Sequence, residues 1–582
     1  MEDAFSSDFI LLKILSNLSL SELLSSSLVS KRWKTLSRTV LRDKHRCAVS
    51  FSGKDVCQIL KEFSDCIGSM DSVPYNDLRI NPCHLNGPCI EGSSADVTQI
   101  CDTILSKMKL KYLDVHWFKE LGMPDHNCPV MVTFLKEIFK REHCFNLEFL
   151  EFCHLPELQL FTACFEIDPE QGLKSLLPNL TTFKMINCRR STLEFIKEII
   201  RAAPNIRNLI VNAKSNMLDY FFSSGKCSAL KKLVLNPAKN DSKICFRFSK
   251  TKPKLKYFAF SSIPDREYGP SQYFFATVKS ILESSGNSLG LLYADQLDMV
   301  WLGNAGITFP KLSRLSTRFG QEVNQLLGFN SLSGIDFGKL FPNLKSVQIG
   351  PEFLRPGVIL GDYVNAETHT VGGSFCGTVT ELKLKYTWHI LKDGSLRMVA
   401  DVFPNVTHFI FEEMETYFVD CMEGLHASWP KLERISLSGY KVWKHSHAFS
   451  TAKCDAAFIG VSDEKIETLS HLDEETLKTL EVQPTRFSFR DFKSLKKFQI
   501  DTNHSYRECR INDDNKFIFS PLTGHLVFSK MPDLVVEIGR VLCNPQAGVS
   551  SCGYELRELS PFVSFVSRTV EHAQEHLISN SI

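Results

Sequence analysis

Apolar and polar positions along this chain repeat one short phrase. Phe341-Pro342-Asn343-Leu344-Lys345-Ser346-Val347-Gln348-Ile349 is one copy, and Leu177 to Met185, Phe403 to Phe411 and Trp429 to Leu437 are others. The shared core is L-x-x-L-x-L, with Val, Ile, Phe or Met admitted at the apolar places. Its last two apolar residues alternate with a polar one, the period of a half-buried strand, and the Pro ahead keeps a helix from running into it. The phrase begins at Tyr75, Leu110, Leu147, Leu180, Ile206, Leu230, Leu255, Leu289, Leu312, Leu344, Val379, Val406, Leu432, Leu477 and Leu495. The intervals run from about 18 to about 45 residues, a range that predicts stacked repeats with insertions.

Between phrases the period turns helical. Val132, Leu135, Ile138 and Phe139 have helical spacing, as do Leu193, Ile196, Ile199 and Ile200, and Phe274, Val278, Ile281 and Leu282. Strand, turn, helix and strand in one direction predict an α/β fold, a curved parallel sheet with helices outside. A nucleotide-binding α/β enzyme would need a Gly-rich turn between strand and helix. Val371 to Gly377 has neither that spacing nor a phosphate-binding Lys, and it reads, like Leu354 to Gly361, as an insertion between repeats. Past Asp501 the phrase fades. Lys516 to Phe519 and His525 to Phe528 predict a hairpin, Pro532 to Leu542 a helix, and Phe562 to Val570 a last amphipathic helix. Such a segment serves to shield the final core face of a solenoid, or forms a separate ligand domain.

The first fifty residues follow another pattern. Ile10, Leu11, Ile14, Leu15 and Leu18 share a helical face, and Ser19 with Glu22 has the form of a capping box. Leu28-Val29-Ser30-Lys31-Arg32-Trp33 leads into a third helix carrying Leu36, Val40 and Leu41. Three short helices bury little apolar surface alone, so the unit is expected to complete its core against a partner or a neighbouring domain. The basic residues from Lys31 to Arg46 read as a solvated helix face rather than a DNA-recognition helix, since no further basic cluster accompanies them. Ile10 to Leu24, followed by Ser27 to Trp33, resembles an F-box. The usual Leu-Pro opening is missing; Ser6, Ser7 and Phe9 stand there. The resemblance implies binding to a Skp-type adaptor of a cullin-RING ubiquitin ligase through Ile10, Leu11, Ile14, Leu18, Leu20, Leu23, Leu24 and Leu28, with Val29 and Trp33 holding the helices together. The array behind it is similar to the divergent leucine-rich repeats of F-box/leucine-rich-repeat proteins, with Phe, present 44 times, standing in for Leu.

The expected domains are residues 1–50 as F-box, 51–74 as a linker with one helix, 75–501 as leucine-rich-repeat horseshoe, and 502–582 as a C-terminal capping region. A net charge of +1 over 582 residues gives no reason to expect nucleic acid or an anionic membrane as partner. Nineteen scattered cysteines without a C-x-x-C frame, and no leader-like start, read as reduced thiols in cytoplasm or nucleus. No catalytic signature is present, and neither cofactor nor metal is expected. His445-Ser446-His447 reads as a surface loop, Cys153-His154 as a core thiol beside a turn residue, and Asp513-Asp514 as a turn.

What remains is binding. Polar residues alternating with core positions of the phrase face the concave side of such a sheet. That row holds Lys184, Asn208, Lys232, Tyr257, Tyr293, Arg314, Gln348, Lys383, His408, Arg434 and Lys497, a polar and rather basic surface with two aromatics. The expected function is substrate recognition for a Skp-cullin-F-box type ubiquitin ligase, with a repeat scaffold outside any ligase as the alternative.

Overall fold

The computed structural model describes residues 7–44, 46–53, 56–70, 73–82, 94–116, 137–139, 141–153, 177–186, 199–213, 229–237, 253–260, 272–294, 305–318, 336–350, 375–385, 395–412, 418–441, 455–456, 458–485, 487–503, 521–543 and 552–559. The chain divides into two compact units, Met1–Ser285 and Gly286–Ile582.

The first unit opens with helices Asp8–Leu15, Leu20–Ser26 and Lys31–Lys44. The capping box forms as the sequence predicts: the Glu22 amide donates to Ser19 Oγ at 3.4 Å, and the Ser19 amide donates to the Glu22 carboxylate at 2.7 Å. Leu11, Leu15, Leu23, Leu36, Val40 and Leu41 make the core of these helices, with Leu12, Leu18, Trp33 and Cys47 packed against it.

Eight parallel strands follow in sequence order: β1 (Ala48–Gly53), β2 (Asp77–Pro82), β3 (Tyr112–His116), β4 (Phe149–Cys153), β5 (Thr182–Ile186), β6 (Asn208–Ala213), β7 (Lys232–Pro237) and β8 (Tyr257–Phe260). The register is that of the repeated phrase. Its second apolar position forms one column, Val49, Leu78, Leu113, Leu150, Phe183, Leu209, Leu233 and Phe258. The second unit repeats the arrangement in β9 (Leu291–Ala294), β10 (Arg314–Arg318), β11 (Ser346–Gly350), β12 (Glu381–Lys385), β13 (His408–Glu412), β14 (Arg434–Lys441), β15 (Lys497–Asn503) and β16 (Val535–Cys543). Its column is Leu292, Leu315, Val347, Leu382, Phe409, Ile435, Phe498 and Val536. A last strand, β17 (Cys552–Leu559), pairs antiparallel with β16 and ends the parallel progression. Helical segments stand between strands, among them Gln272–Ser285, whose Val278, Ile281 and Leu282 are buried. The N-terminal helical unit followed by parallel strands with intervening helices is the α/β repeat architecture expected from the phrase.

Two polar devices tie repeats to those before them, one at successive strand entries and one where the entry carries Pro-Asn. At the strand entry, two successive amides share one carbonyl of the preceding repeat. Lys345 and Ser346 donate to Ser313, Thr380 and Glu381 to Lys345, and Thr407 and His408 to Thr380. The Asn of the Pro-Asn pair supplies the second. Asn343 Nδ2 donates to the Pro310 carbonyl at 2.7 Å, Asn405 to Gly377 at 2.8 Å, Asn179 to Phe145 at 2.9 Å and Asn205 to Pro178 at 2.8 Å. Aromatics fill the space behind the strands. Phe309 stacks on Phe341, Phe337 meets Phe403 edge-on, and buried Trp429 packs on Phe409 while its indole donates to the Phe403 carbonyl.

Four expectations change. The phrase at Leu477 is not a strand but part of helix Glu474–Thr479, because Asp473 caps that helix by accepting from the Thr476 amide at 2.8 Å. Pro532 to Leu542 is a turn leading into strand β16 at Val535, not a helix. The Leu534 amide closes the same turn on Met531 that Leu344 closes on Phe341, and Val535, Val536, Ile538 and Val541 favour the extended chain. This copy escapes the pattern because Leu534 stands one residue too close to Val536. His525 to Phe528 belongs to helix Pro521–Leu526 and the short turn after it, not to a hairpin; residues 516–519 lie outside the described residues. Finally β1, which lacks the Pro-x-Leu entry, already joins the strands of the first unit ahead of position 75, and β16 and β17 extend those of the second past 501. The expected helix Phe562 to Val570 and the stretch Leu354 to Gly361 lie outside the described residues, as does Val371 to Ser374 of the Gly-rich insertion.

Asn343→Ala and Asn405→Ala are each expected to lower the unfolding free energy of the second unit by about 1 kcal/mol. Trp429→Ala, which removes a large buried ring, is expected to cost about 3–5 kcal/mol. Urea unfolding of the three variants checks both, and an Asn effect within error of zero would remove the amide clip from the account.

Candidate functional site

The N-terminal helices divide their leucines between two tasks. Leu11 and Leu23 are fully buried and Leu18 packs against the same core, so three of the eight residues expected to face an adaptor hold the helices together instead. Leu11 and Leu23 on the first two helices, and Leu18 in the turn between them, join one core with Leu36, Val40 and Leu41 of the third, where a contact within the chain outcompetes one with a partner. Ile10, Ile14, Leu20, Leu24 and Leu28 are exposed, together with Phe9 and Val29. Leu28, 86% exposed, stands in the turn between Ser26 and Ser30, where the Leu28 and Val29 amides close back on Ser25 and Ser26. That turn aims Val29 outward too, at 65% exposure, which corrects its expected role as a core residue; Trp33 keeps that role. The frame beneath is braced by polar contacts. Arg32 pairs with Asp8 at 2.7 Å, Lys44 reaches the Ser16 carbonyl, and Ser30 Oγ accepts from the Trp33 amide. Seven exposed apolar side chains on so small a frame are more than its own core uses, the kind of surface that interaction sites present.

The second candidate is the open face of the sheets. The eleven residues expected there are all at least partly exposed, on strands that, β8 apart, alternate such positions with buried ones. In the first unit Asn208, Lys232 and Tyr257 are successive partners on β6, β7 and β8, and Lys184 lies on adjacent β5. In the second unit Gln348 stands opposite Lys383, while His408, Arg434 and Lys497 are successive partners on β13, β14 and β15. Tyr293 and Arg314 lie on neighbouring β9 and β10 but at different positions of the phrase.

The face is less basic than the row of residues promised. Lys184 pairs with Glu151, Lys383 with Glu412, and Lys497 with Glu537, each on the neighbouring strand, while Lys232 lies 4.5 Å over the Tyr257 ring. Arg434 has no ion-pair partner among the described residues. Burial, and then Arg434 beside it, lower the His408 pKa.

The densest group escaped the sequence reading because that row began at Lys184. The same alternation carried through the phrases at Tyr75, Leu110 and Leu147 reaches Asp77, Arg79, Asp114, His116 and Glu151, while Arg46 belongs to no phrase. Asp77 is a fully buried carboxylate held by Arg46 at 2.7 Å and Arg79 at 3.0 Å, and the Arg46 guanidinium lies over the rings of Tyr112 and Phe149. Next along the face, His116 Nε2 is 2.8 Å from Asp114 and 3.6 Å from Glu151, and Glu151 also binds Lys184 at 2.5 Å. The Asp114 hydrogen bond, followed by that of Glu151, pushes the His116 imidazole up to about 9. Burial alone would raise Glu151, yet His116 and Lys184 hold it below its ordinary value. Cys153 is the core thiol expected, raised by burial, while His154, His445, His447, Asp513 and Asp514 lie outside the described residues. No helix among the described residues is long and apolar enough to cross a membrane.

Two predictions follow the geometry. His116 has its pKa raised from an ordinary 6.5, so its contribution to stability is complete below that pH and disappears as pH climbs through about 9. The fall in melting temperature between pH 6.5 and 9 is therefore expected to be smaller in His116→Gln than in the parent; equal falls would contradict the ion network. In the helical unit, Leu23→Asp is expected to abolish the cooperative melt of residues 7–45, whereas Leu28→Asp leaves it within about 0.5 kcal/mol.

Comparison with known proteins agrees with the first of these surfaces. No curated protein matches the chain. The family model of the F-box domain matches residues 7–45, the three helices that carry the exposed leucines. F-box domains bind Skp-type adaptors, so the chain carries at its N-terminus a module that supports a role in ubiquitin-ligase adaptor binding.

Proposed function

We infer that the chain is the substrate-recognition subunit of a Skp-cullin-F-box type ubiquitin ligase. Phe9, Ile10, Ile14, Leu20, Leu24, Leu28 and Val29 dock the adaptor, and the strands behind form leucine-rich repeats whose open face holds a target protein. The observation that carries this reading is the apolar face left open on the F-box helices while Leu11, Leu15 and Leu23 fill the core beneath it. The chain contributes proximity and orientation, holding a target where an associated conjugating enzyme transfers ubiquitin to it. Interfaces draw on Tyr and Arg, and Tyr257, Tyr293, Arg314 and Arg434 supply both types on the open faces.

The missing Leu-Pro opening favours one alternative, a repeat scaffold whose F-box docks no ligase. Co-purification separates the two. The full chain is expected to retain a Skp-type adaptor through gel filtration, and Leu24→Asp with Leu28→Asp is expected to lose it with an unchanged melt. Free monomer of the parent chain in excess adaptor would decide for the scaffold. Loss of target capture in a Lys383/His408/Arg434 triple alanine, with adaptor retained, would assign the open face of the second unit.

A further inference from the structure

The open face of the first unit brings three metal-ligating atoms to one point. Asp114 and His116 stand two residues apart on β3, so their side chains leave the same face of the strand. Glu151 is the direct partner of Asp114 across the register on β4, and Cys153 is the partner of His116. A carboxylate oxygen of Asp114, His116 Nε2 and a carboxylate oxygen of Glu151 all lie within 4.8 Å of one another. No other group of three such residues converges in this way among the described residues. The Glu151 side chain is only 7% exposed and that of Asp114 19%, so both carboxylates are partly withdrawn from water and need positive charge beside them, which His116 and Lys184 supply when no ion is bound. Both strands are fixed by paired neighbours on either side, β2 beyond β3 and β5 beyond β4, which holds the three atoms in place before any ion arrives.

We propose that Asp114, His116 and Glu151 form a binding site for a divalent transition-metal ion of the zinc type. One imidazole nitrogen with two carboxylate oxygens suits Zn2+, whereas Mg2+ and Ca2+ prefer oxygen throughout. Three protein ligands leave a fourth position for water. The exchange balances. His116 releases its Nε2 proton to solvent and its lone pair bonds the ion, while the Lys184 ammonium, 2.5 Å from Glu151, yields that oxygen. The ion then supplies the two positive charges that the imidazolium and Lys184 supply in its absence. Lys184 is thus the competitor for the site. The proposal stands independently of any ligase role.

Zn2+ titration of the chelator-stripped full chain by calorimetry tests it, beside Asp114→Asn, His116→Gln, Glu151→Gln and Lys184→Met. One Zn2+ per chain is expected at a site weakened about tenfold or more in each of the first three variants, with no matching heat from Mg2+. Lys184→Met is expected to tighten the same site severalfold, a gain that misfolding cannot imitate. Equal binding in the parent and the three ligand variants overturns the assignment. Absence of Zn2+ heat in the parent also overturns it and marks the group as an ion network only, while loss in those three without a gain in Lys184→Met would overturn the competitor role of Lys184.

Discussion

Each strand in this protein depends on its neighbour for something it cannot supply itself. The amides at positions such as Thr380 and Glu381 have one acceptor, the Lys345 carbonyl of the preceding repeat, and the apolar column is flanked by the same column next door. An isolated repeat would leave both unsatisfied, so stability is a property of adjacent pairs. The Pro-Asn pair sharpens this. Pro ends whatever precedes the strand, and the Asn beside it reaches back to the previous turn, so a two-residue signature both starts a repeat and fastens it.

The same register determines what the open face can be. Polar side chains at equivalent positions stand about 5 Å apart on adjacent strands, close enough that opposite charges must meet. Arg46, Asp77, Arg79, Asp114, His116, Glu151 and Lys184 alternate in sign along the face. Such a surface has little net field but strong local polarity. A partner would be selected by matching those positions one at a time, not drawn in by overall charge.

How much of this was legible depends on where the signal is stored. Leu344, Val347 and Ile349 declare their strand locally, and every phrase except the one at Leu477 leads into one. At Leu477 a stronger local signal, the Asp473 cap, decides for helix. At Leu534 the spacing slips by one residue and hides a strand that β-branched residues then secure. The open face was readable by phase, but the pairing of Lys184, Lys383 and Lys497 was not. Each partner carboxylate lies a whole repeat away, and only the register brings it near. Leu11 and Leu23 show the limit from the other side. A helical face identifies apolar residues but not which half of that face meets the chain's own third helix.

That last division is also what gives the F-box its use. A three-helix unit with six buried core residues gains little from folding alone, and seven further apolar side chains in water leave it with unspent hydrophobic surface. Burying those seven at about 25 cal/mol per Å2 of apolar area would rival what the internal core contributes. The frame therefore has to hold its shape by means that leave the face free. The Ser19–Glu22 capping box, the Arg32–Asp8 pair and the Ser30 cap do this from the polar side. Had Leu24, Leu28 and Val29 turned inward, the unit would be the more stable and would present less apolar surface to any partner.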